Sequence, residues 1–356
     1  MVPPVVPGTE HTVAMVQVRS VLDGAIARGL PAAPLLQRAG IAPGLVDSPL
    51  ARVSQQQYAL LIRVLRRSLR DEFWGLCSQA VPVGSFGHCA ARLVQCADLR
   101  QALREGFRSY HGLIPDFAAR LVEQGAEAQI RITTRPSVAP RDAAAARRLD
   151  YAQKAFLLFT HGFASWLVAR RVPLREVIYT SATQGGEISR VYQAPIRFNQ
   201  PHIGFIFEAR WLDLPVVQSP QSLREYLAQA PANLLVRYRD AGTTTERIRR
   251  LLRRQLDRDD LSLDAIAALW AMAPQTLRRH LRDEGQGFQQ IKDDLRRDAA
   301  IACLAQPELT LPEIAQRLGF SEASTFHRAF KKWTGVAPGE YRHGQRRSEG
   351  VGVNPR

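Results

Sequence analysis

The sequence predicts an α+β N-terminal region, mostly helical with a small set of strands. An all-α C-terminal domain follows, in which two helix-turn-helix units are joined by a linker helix. Three observations predict this. Residues 261–338 carry one helix-turn-helix pattern twice. Residues 118–133 alternate apolar and polar side chains around Gly125, as a hairpin does. Residues 231–244 break the periodic segments on either side and read as a linker.

Composition permits this division. A chain of 356 residues with 46% hydrophobic side chains can bury two or three cores. No apolar run approaches the roughly 20 residues of a membrane span, so no membrane is expected as a partner. Met1-Val-Pro-Pro-Val-Val-Pro-Gly8 lacks the basic start and long apolar core of a signal peptide and reads as a frayed terminus. Cys77, Cys89, Cys96 and Cys303 show neither CxxC nor paired-His spacing. That argues against a disulfide framework and a zinc site and fits a reducing cytoplasm. No metal and no cofactor is expected.

Residues 1–50 read as a helical, flexible segment broken at Pro31, Pro34, Pro43 and Pro49. Residues 51–230 read as a mixed helix–strand domain. Within it Ser54–Leu69 has helical apolar spacing at Tyr58, Leu61, Ile62, Leu65 and Leu69. Ala97–Leu113 is a helix with Asp98 as N-cap. Ala118–Glu123 and Ala128–Thr133 form the hairpin, and Ala143–Ala169 is a long helix. Leu174–Thr180, Ile196–Phe198 and His202–Phe207 are short strands. Arg210–Leu214 and Ser219–Gln229 return to helix, the latter capped by Ser219 with Pro220 at its first position.

The linker spans 231–244, a double helix-turn-helix domain 245–345 and a flexible tail 346–356. Thr243-Thr-Thr-Glu246 reads as a capping box, and the device recurs at Thr310-Leu-Pro-Glu313. The first repeat runs from Leu261 to Leu281 and the second from Leu309 to Phe330. Ile266-Ala267 matches Ile314-Ala315 at an offset of 48; Leu277 and Leu281 match Phe326 and Phe330 at 49. The second copy therefore has one extra residue near its turn. Each copy is an apolar-periodic helix, a tight turn at Ala271 or Gly319, and a second helix with apolar residues at i and i+4. Phe288–Leu304 is a continuous helix between them, roughly 25 Å long at 1.5 Å per residue. A strut of that length can hold two reading helices in neighbouring major-groove segments, about 34 Å apart.

Net charge is +15, but the excess is not concentrated in the repeats: residues 243–356 carry +5 and residues 1–242 carry +10. Charge permits nucleic-acid binding, and the motif carries the inference. In such a unit the second helix enters the major groove. With Leu277 and Leu281 inward, Gln275, Thr276, Arg278, Arg279 and Arg282 face outward. With Phe326 and Phe330 inward, Ser324, Thr325, His327, Arg328, Lys331 and Lys332 do so. Gln pairs bidentately with adenine and Arg with guanine. Arg328 is a base reader of this type. Ser321, Lys331 and Lys332, with Thr276, Arg282 and Thr325, suit phosphates.

The run Ile314-Ala-Gln-Arg-Leu-Gly-Phe-Ser-Glu-Ala-Ser-Thr-Phe-His-Arg-Ala-Phe-Lys-Lys-Trp-Thr-Gly335-Val-Ala-Pro338-Gly-Glu-Tyr341-Arg342 resembles the C-terminal signature of the AraC/XylS family of bacterial transcription factors. The resemblance implies base-facing roles for Gln275, Arg278 and Arg279, and for Ser324, His327 and Arg328. The chain departs from the family at Ala271, where Gly is usual, and at Ala273-Pro274, where Ser often caps. Pro195-Ile-Arg-Phe-Asn199, Leu212-Asp-Leu-Pro215 and the order of helices before a small strand set resemble the family's arabinose-binding type of effector domain. That implies a small-molecule effector and does not make arabinose the ligand.

No nucleophile elbow, Walker loop, HExxH or GxGxxG is present, and no catalytic residue is expected. His88 near Cys89, and His161, read as packing residues. Tyr110-His111 ends a helix beside Gly112 as a turn able to present polar groups to a ligand. Phe163 and Trp166 read as core residues that can line a pocket. Tyr110, His111 and Trp166 are the candidate ligand contacts. The expected partners are a double-stranded operator, a small effector, RNA polymerase and a second copy of the chain, in the cytoplasm at the nucleoid. The alternatives are a DNA-repair enzyme or an architectural binder using the same module. The first should show a Cys-rich zinc cluster and a Pro-Cys-His active site, and neither occurs. The second does not need the 240 residues before the repeats.

Overall fold

A computed structural model describes residues 12–182, 192–229, 244–253, 261–284 and 286–342. In chain order, β1 (Val13–Ala14) leads into α1 (Met15–Ala27) and α2 (Ala32–Arg38). After a 3-10 turn at Pro43–Asp47 come β2 (Arg52–Val53) and α3 (Gln55–Leu69), then α4 (Ser85–Leu93) and α5 (Leu99–Leu113). The hairpin β3 (Phe117–Gln124) and β4 (Glu127–Thr134) precedes α6 (Ala143–Leu167). Strands β5 (Glu176–Ile178), β6 (Ile196–Arg197) and β7 (Ile203–Glu208) follow, then α7 (Pro220–Gln229). The C-terminal helices are α8 (Thr244–Arg253), α9 (Leu263–Leu269), α10 (Pro274–Asp283), α11 (Phe288–Leu304), α12 (Leu311–Arg317) and α13 (Ala323–Thr334).

These elements pack as two units. One joins residues 20–31 and 62–238; the other joins 1–19, 32–61 and 239–356. The partition falls elsewhere than the sequence boundary near 50, because residues 32–61 pack with the C-terminal helices. Most of the expected linker lies outside the described residues.

The first unit is built on a five-stranded sheet in the order β3-β4-β7-β5-β6, antiparallel except for the β5–β6 pair. Apolar alternation sets its register: Ile130 faces Phe205 and Ile132 faces Ile203, and all four are buried. Gly204 lets β4 and β7 close, since a Cβ there would stand 2.2 Å from the Ile130 carbonyl oxygen. Helix α5 starts where Asp98 accepts the Gln101 N–H at 2.8 Å, and α6 where Asp142 accepts that of Ala145. Ser54 and Gln57 cap α3 reciprocally. Residues 209–213 form a 3-10 turn instead of the expected α-helix. Within Leu212-Asp-Leu-Pro215, Leu212 is fully buried and the Leu214 carbonyl accepts the Leu99 N–H, tying the motif to the start of α5.

His161 is buried, as a packing residue should be. Its Nε2 lies 2.8 Å from the Val172 carbonyl oxygen, and burial lowers its pKa to about 4. His88 is exposed, and all four cysteines are free and buried. Among the described residues no helix is long and apolar enough to cross a membrane.

In the second unit β1 pairs antiparallel with β2. The capping box expected at Thr243–Glu246 rests on Thr243, which lies outside the described residues. Helix α8 receives its cap from Glu284, which accepts the N–H groups of Thr244 and Thr245 at 2.8 Å each. A carboxylate at a helix N-terminus meets both the open donors and the positive end of the dipole. Glu246 of the same helix lies 3.6 Å from Arg253. The box at Thr310 and Glu313 forms as expected.

Candidate DNA interface and effector cavity

The two helix-turn-helix units have matching turns. In the first, the Met272 N–H reaches back to the Ala267 carbonyl at 2.9 Å; in the second, Phe320 reaches Ala315 at 3.0 Å. Both are the Schellman closure, whose pivot residue must be left-handed. Ala271 and Gly319 are those pivots, with φ of 51° and 74°. The extra residue of the second copy follows the turn: Ala273 alone precedes α10, whereas Ser321 and Glu322 precede α13. Ala273 contributes no side-chain cap, and Pro274 begins the helix.

Both second helices bury the expected faces. Leu277 and Leu281 on α10, and Phe326 and Phe330 on α13, are at most 2% exposed. The opposite faces are open. Gln275, Arg278, Arg279, Arg282, Ser321, Ser324, His327, Arg328, Lys331 and Lys332 are exposed, and Thr276 and Thr325 are half-buried. Arg278 pairs with Asp264 of α9 at 3.3 Å, and the Ser324 hydroxyl donates to Glu322 at 2.9 Å.

Helix α11 separates the reading helices and buries Ile291, Leu295, Ala299 and Ile301. Its core face also carries charge. Asp294 meets Arg249 of α8 at 3.3 Å and Arg297 at 3.0 Å, and Asp298 accepts the Thr12 hydroxyl at 2.6 Å. The Tyr341 hydroxyl donates to the Arg52 carbonyl at 2.5 Å.

The other unit holds a cavity of about 360 Å³ between the C-terminal half of α3 and helices α4, α5 and α6. Its wall is aromatic and aliphatic, including Phe73, Phe86, Leu103, Phe107, Phe156 and Phe163. Tyr110 lines it, edge-on to Phe156 at 5.2 Å, and burial raises its phenol pKa well above the ordinary range. His111 is exposed on the next position of α5, and its carbonyl accepts from Arg135. Trp166 lies outside the lining, stacked on Phe163 at 5.2 Å and covered by Tyr226 at 4.5 Å.

Two charged residues line the cavity and had no distinctive sequence signal, Arg66 and Glu72. Glu72 accepts the N–H groups of Gly84 and Phe86, at 2.8 Å each, and so caps α4. Burial raises its carboxyl pKa against the opposing pull of those bonds and of Arg66.

Sequence comparison places this geometry. A family model described as the N-terminal arabinose-binding domain of the AraC transcription regulator matches residues 29–216, more than half of the chain. The chain belongs to the AraC family of transcription regulators. A helix-turn-helix domain model matches residues 266–344 of this AraC-type regulator. It is 27% identical over 340 residues to the ornithine utilization regulator of Pseudomonas aeruginosa, covering 94% of this chain and 97% of that one. An uncharacterised HTH-type regulator of Mycobacterium tuberculosis is 27% identical over 332 residues, covering 88% and 91%. The HTH-type regulator VirS of the same organism is 34% identical over 148 residues, covering 41% and 43%. The AraC-type regulator thus pairs an N-terminal effector-binding domain with a C-terminal DNA-binding one. A repair enzyme and an architectural binder find no support in these matches.

Proposed function

We propose that this regulator reads its operator through α10 and α13 and takes its effector in the cavity beside α5. Gln275, Arg278, Arg279, Ser324, His327 and Arg328 contact bases; Thr276, Arg282, Ser321, Thr325, Lys331 and Lys332 contact phosphates. The observation that carries the first part is the pair of matched turns presenting two open polar helix faces from one packed unit. Effector binding acts by favouring one arrangement of the protein on DNA over another. RNA polymerase and a second copy of the chain are further partners, the protein acts at the nucleoid in the cytoplasm, and it catalyses no reaction. Among the ligand contacts anticipated from sequence, Tyr110 is retained; His111 and Trp166 are left out because neither lines the cavity.

Paired titrations on cognate and scrambled duplexes test the base contacts. Arg279→Ala and Arg328→Ala should each cost roughly 1–3 kcal/mol on the operator and relax preference at one base pair. Lys331→Ala should weaken both duplexes alike and lower the salt slope by about one. Equal losses on both duplexes for Arg279→Ala would make it a phosphate clamp. Occupancy of the cavity is tested by ligand titration of the full chain and of a variant that fills the cavity.

A further inference from the structure

The cavity wall is apolar, and its charges are unequally compensated. Glu72 spends its two oxygens on the backbone of Gly84 and Phe86, where the N-terminus of the nine-residue helix α4 offsets a negative charge. Arg66 lines the same cavity, half-buried, and forms no hydrogen bond or ion pair with another described residue. Tyr110 presents a phenol to the same space. The Arg66 charge acts on Glu72, but both oxygens of Glu72 are held by backbone N–H groups, so the planar guanidinium fork stays open to a carboxylate in two parallel bonds.

Resting on the reading of this cavity as the effector site, we infer that the effector is an amphipathic monocarboxylate, whose acid group pairs with Arg66 while its apolar body fills the space between α4, α5 and α6. About 360 Å³ accommodates on the order of a dozen heavy atoms at roughly 30 Å³ each. A doubly cationic amino acid is a poor match. Its side-chain ammonium would lie against Phe107, Phe156 and Phe163, and the carboxylate of the lining, Glu72, already accepts two backbone N–H groups.

Calorimetric titration of the full chain with decanoate, its uncharged analogue decanamide, and ornithine tests this. Decanoate should bind at least tenfold tighter than decanamide. Arg66→Gln should abolish that preference while leaving decanamide affinity within about twofold, since Arg66 makes no hydrogen bond or ion pair with a described residue whose loss would unfold the domain. Ala90→Leu, which narrows the cavity, should weaken both ligands, with operator binding by the unliganded variant checking that the chain is folded. Equal affinity for decanoate and decanamide, or a preference that survives Arg66→Gln, overturns the inference. If Ala90→Leu still weakens both, the cavity remains the effector site. Ornithine binding that is lost in Ala90→Leu overturns the monocarboxylate and keeps the site. Absence of binding by all three overturns both.

Discussion

Ala271 and Gly319 hold the same position in the two turns, and both are left-handed, at φ of 51° and 74°. The difference in side chain therefore measures strain. A non-glycine residue in this region costs about 1–2 kcal/mol. Glycine avoids that cost but gives up about 0.5–1 kcal/mol through its freedom in the unfolded chain. Ala271→Gly should accordingly stabilise the first unit by up to about 1 kcal/mol, and Gly319→Ala should destabilise the second by about as much. Urea midpoints at unchanged slope check both. A destabilised Ala271→Gly would show that the alanine methyl contributes packing that outweighs its backbone strain.

The Arg249–Asp294 pair lies at 3.3 Å with both side chains at most 6% exposed. Breaking a buried pair from one side costs about 3–5 kcal/mol, because the remaining charge stays out of water. In Arg249→Met the carboxylate keeps Arg297 at 3.0 Å and the Gln290 amide at 3.0 Å, so the loss should fall near the lower end. Chemical denaturation of the variant gives the number. A loss below about 1 kcal/mol would mean that Arg297 and Gln290 together satisfy Asp294.

Tyr341 is fully buried and ties the end of the family signature to the Arg52 carbonyl. Tyr341→Phe leaves that carbonyl without its donor and should cost about 1–3 kcal/mol in the full chain. A fragment from about Thr243 to Arg356 contains both helix-turn-helix units and the strut, and it should fold and bind duplex DNA. Arg52 is missing there and the hydroxyl meets water, so the same substitution should change stability by no more than about 0.5 kcal/mol. Equal losses in both settings would assign the hydroxyl to a partner inside the C-terminal helices.

The sequence made the elements with local signals legible. Asp98 and Thr310 announce their helices through caps within three residues, and the repeat offset places both turns. Helix α4 carries no such signal. Its cap, Glu72, comes from twelve residues upstream of Gly84, and Gly87 dilutes its pattern. Strands β1 and β2, of two residues each, are too short to show alternation. Glu284, just past the end of α10, holds the first N–H groups of α8, which no local pattern can reveal. The cavity has the same origin: Leu103, Phe107 and Tyr110 show one apolar face of α5, but the space needs α3, α4 and α6 to converge. Trp166, three residues from Phe163, shares the helix but turns away to stack with Tyr226.

His161 gives the effector unit a pH dependence. Its ring is edge-on to Phe205 at 5.6 Å, and burial, assisted by the charge of Arg171, lowers its pKa from 6.5 to about 4. The unfolded chain therefore takes up this proton first as pH falls. The contribution to stability is complete above the unfolded value near 6.5 and is lost through the folded value near 4, to a total of about 3 kcal/mol. At pH 5 the wild type should have lost about 2 kcal/mol from this group relative to pH 7.5. His161→Gln retains an N–H for the Val172 carbonyl and has no charge to bury, so its stability should fall by correspondingly less over the same interval. Urea midpoints of both proteins at the two pH values decide it. Parallel losses in wild type and variant would place the acid sensitivity on the carboxylates instead.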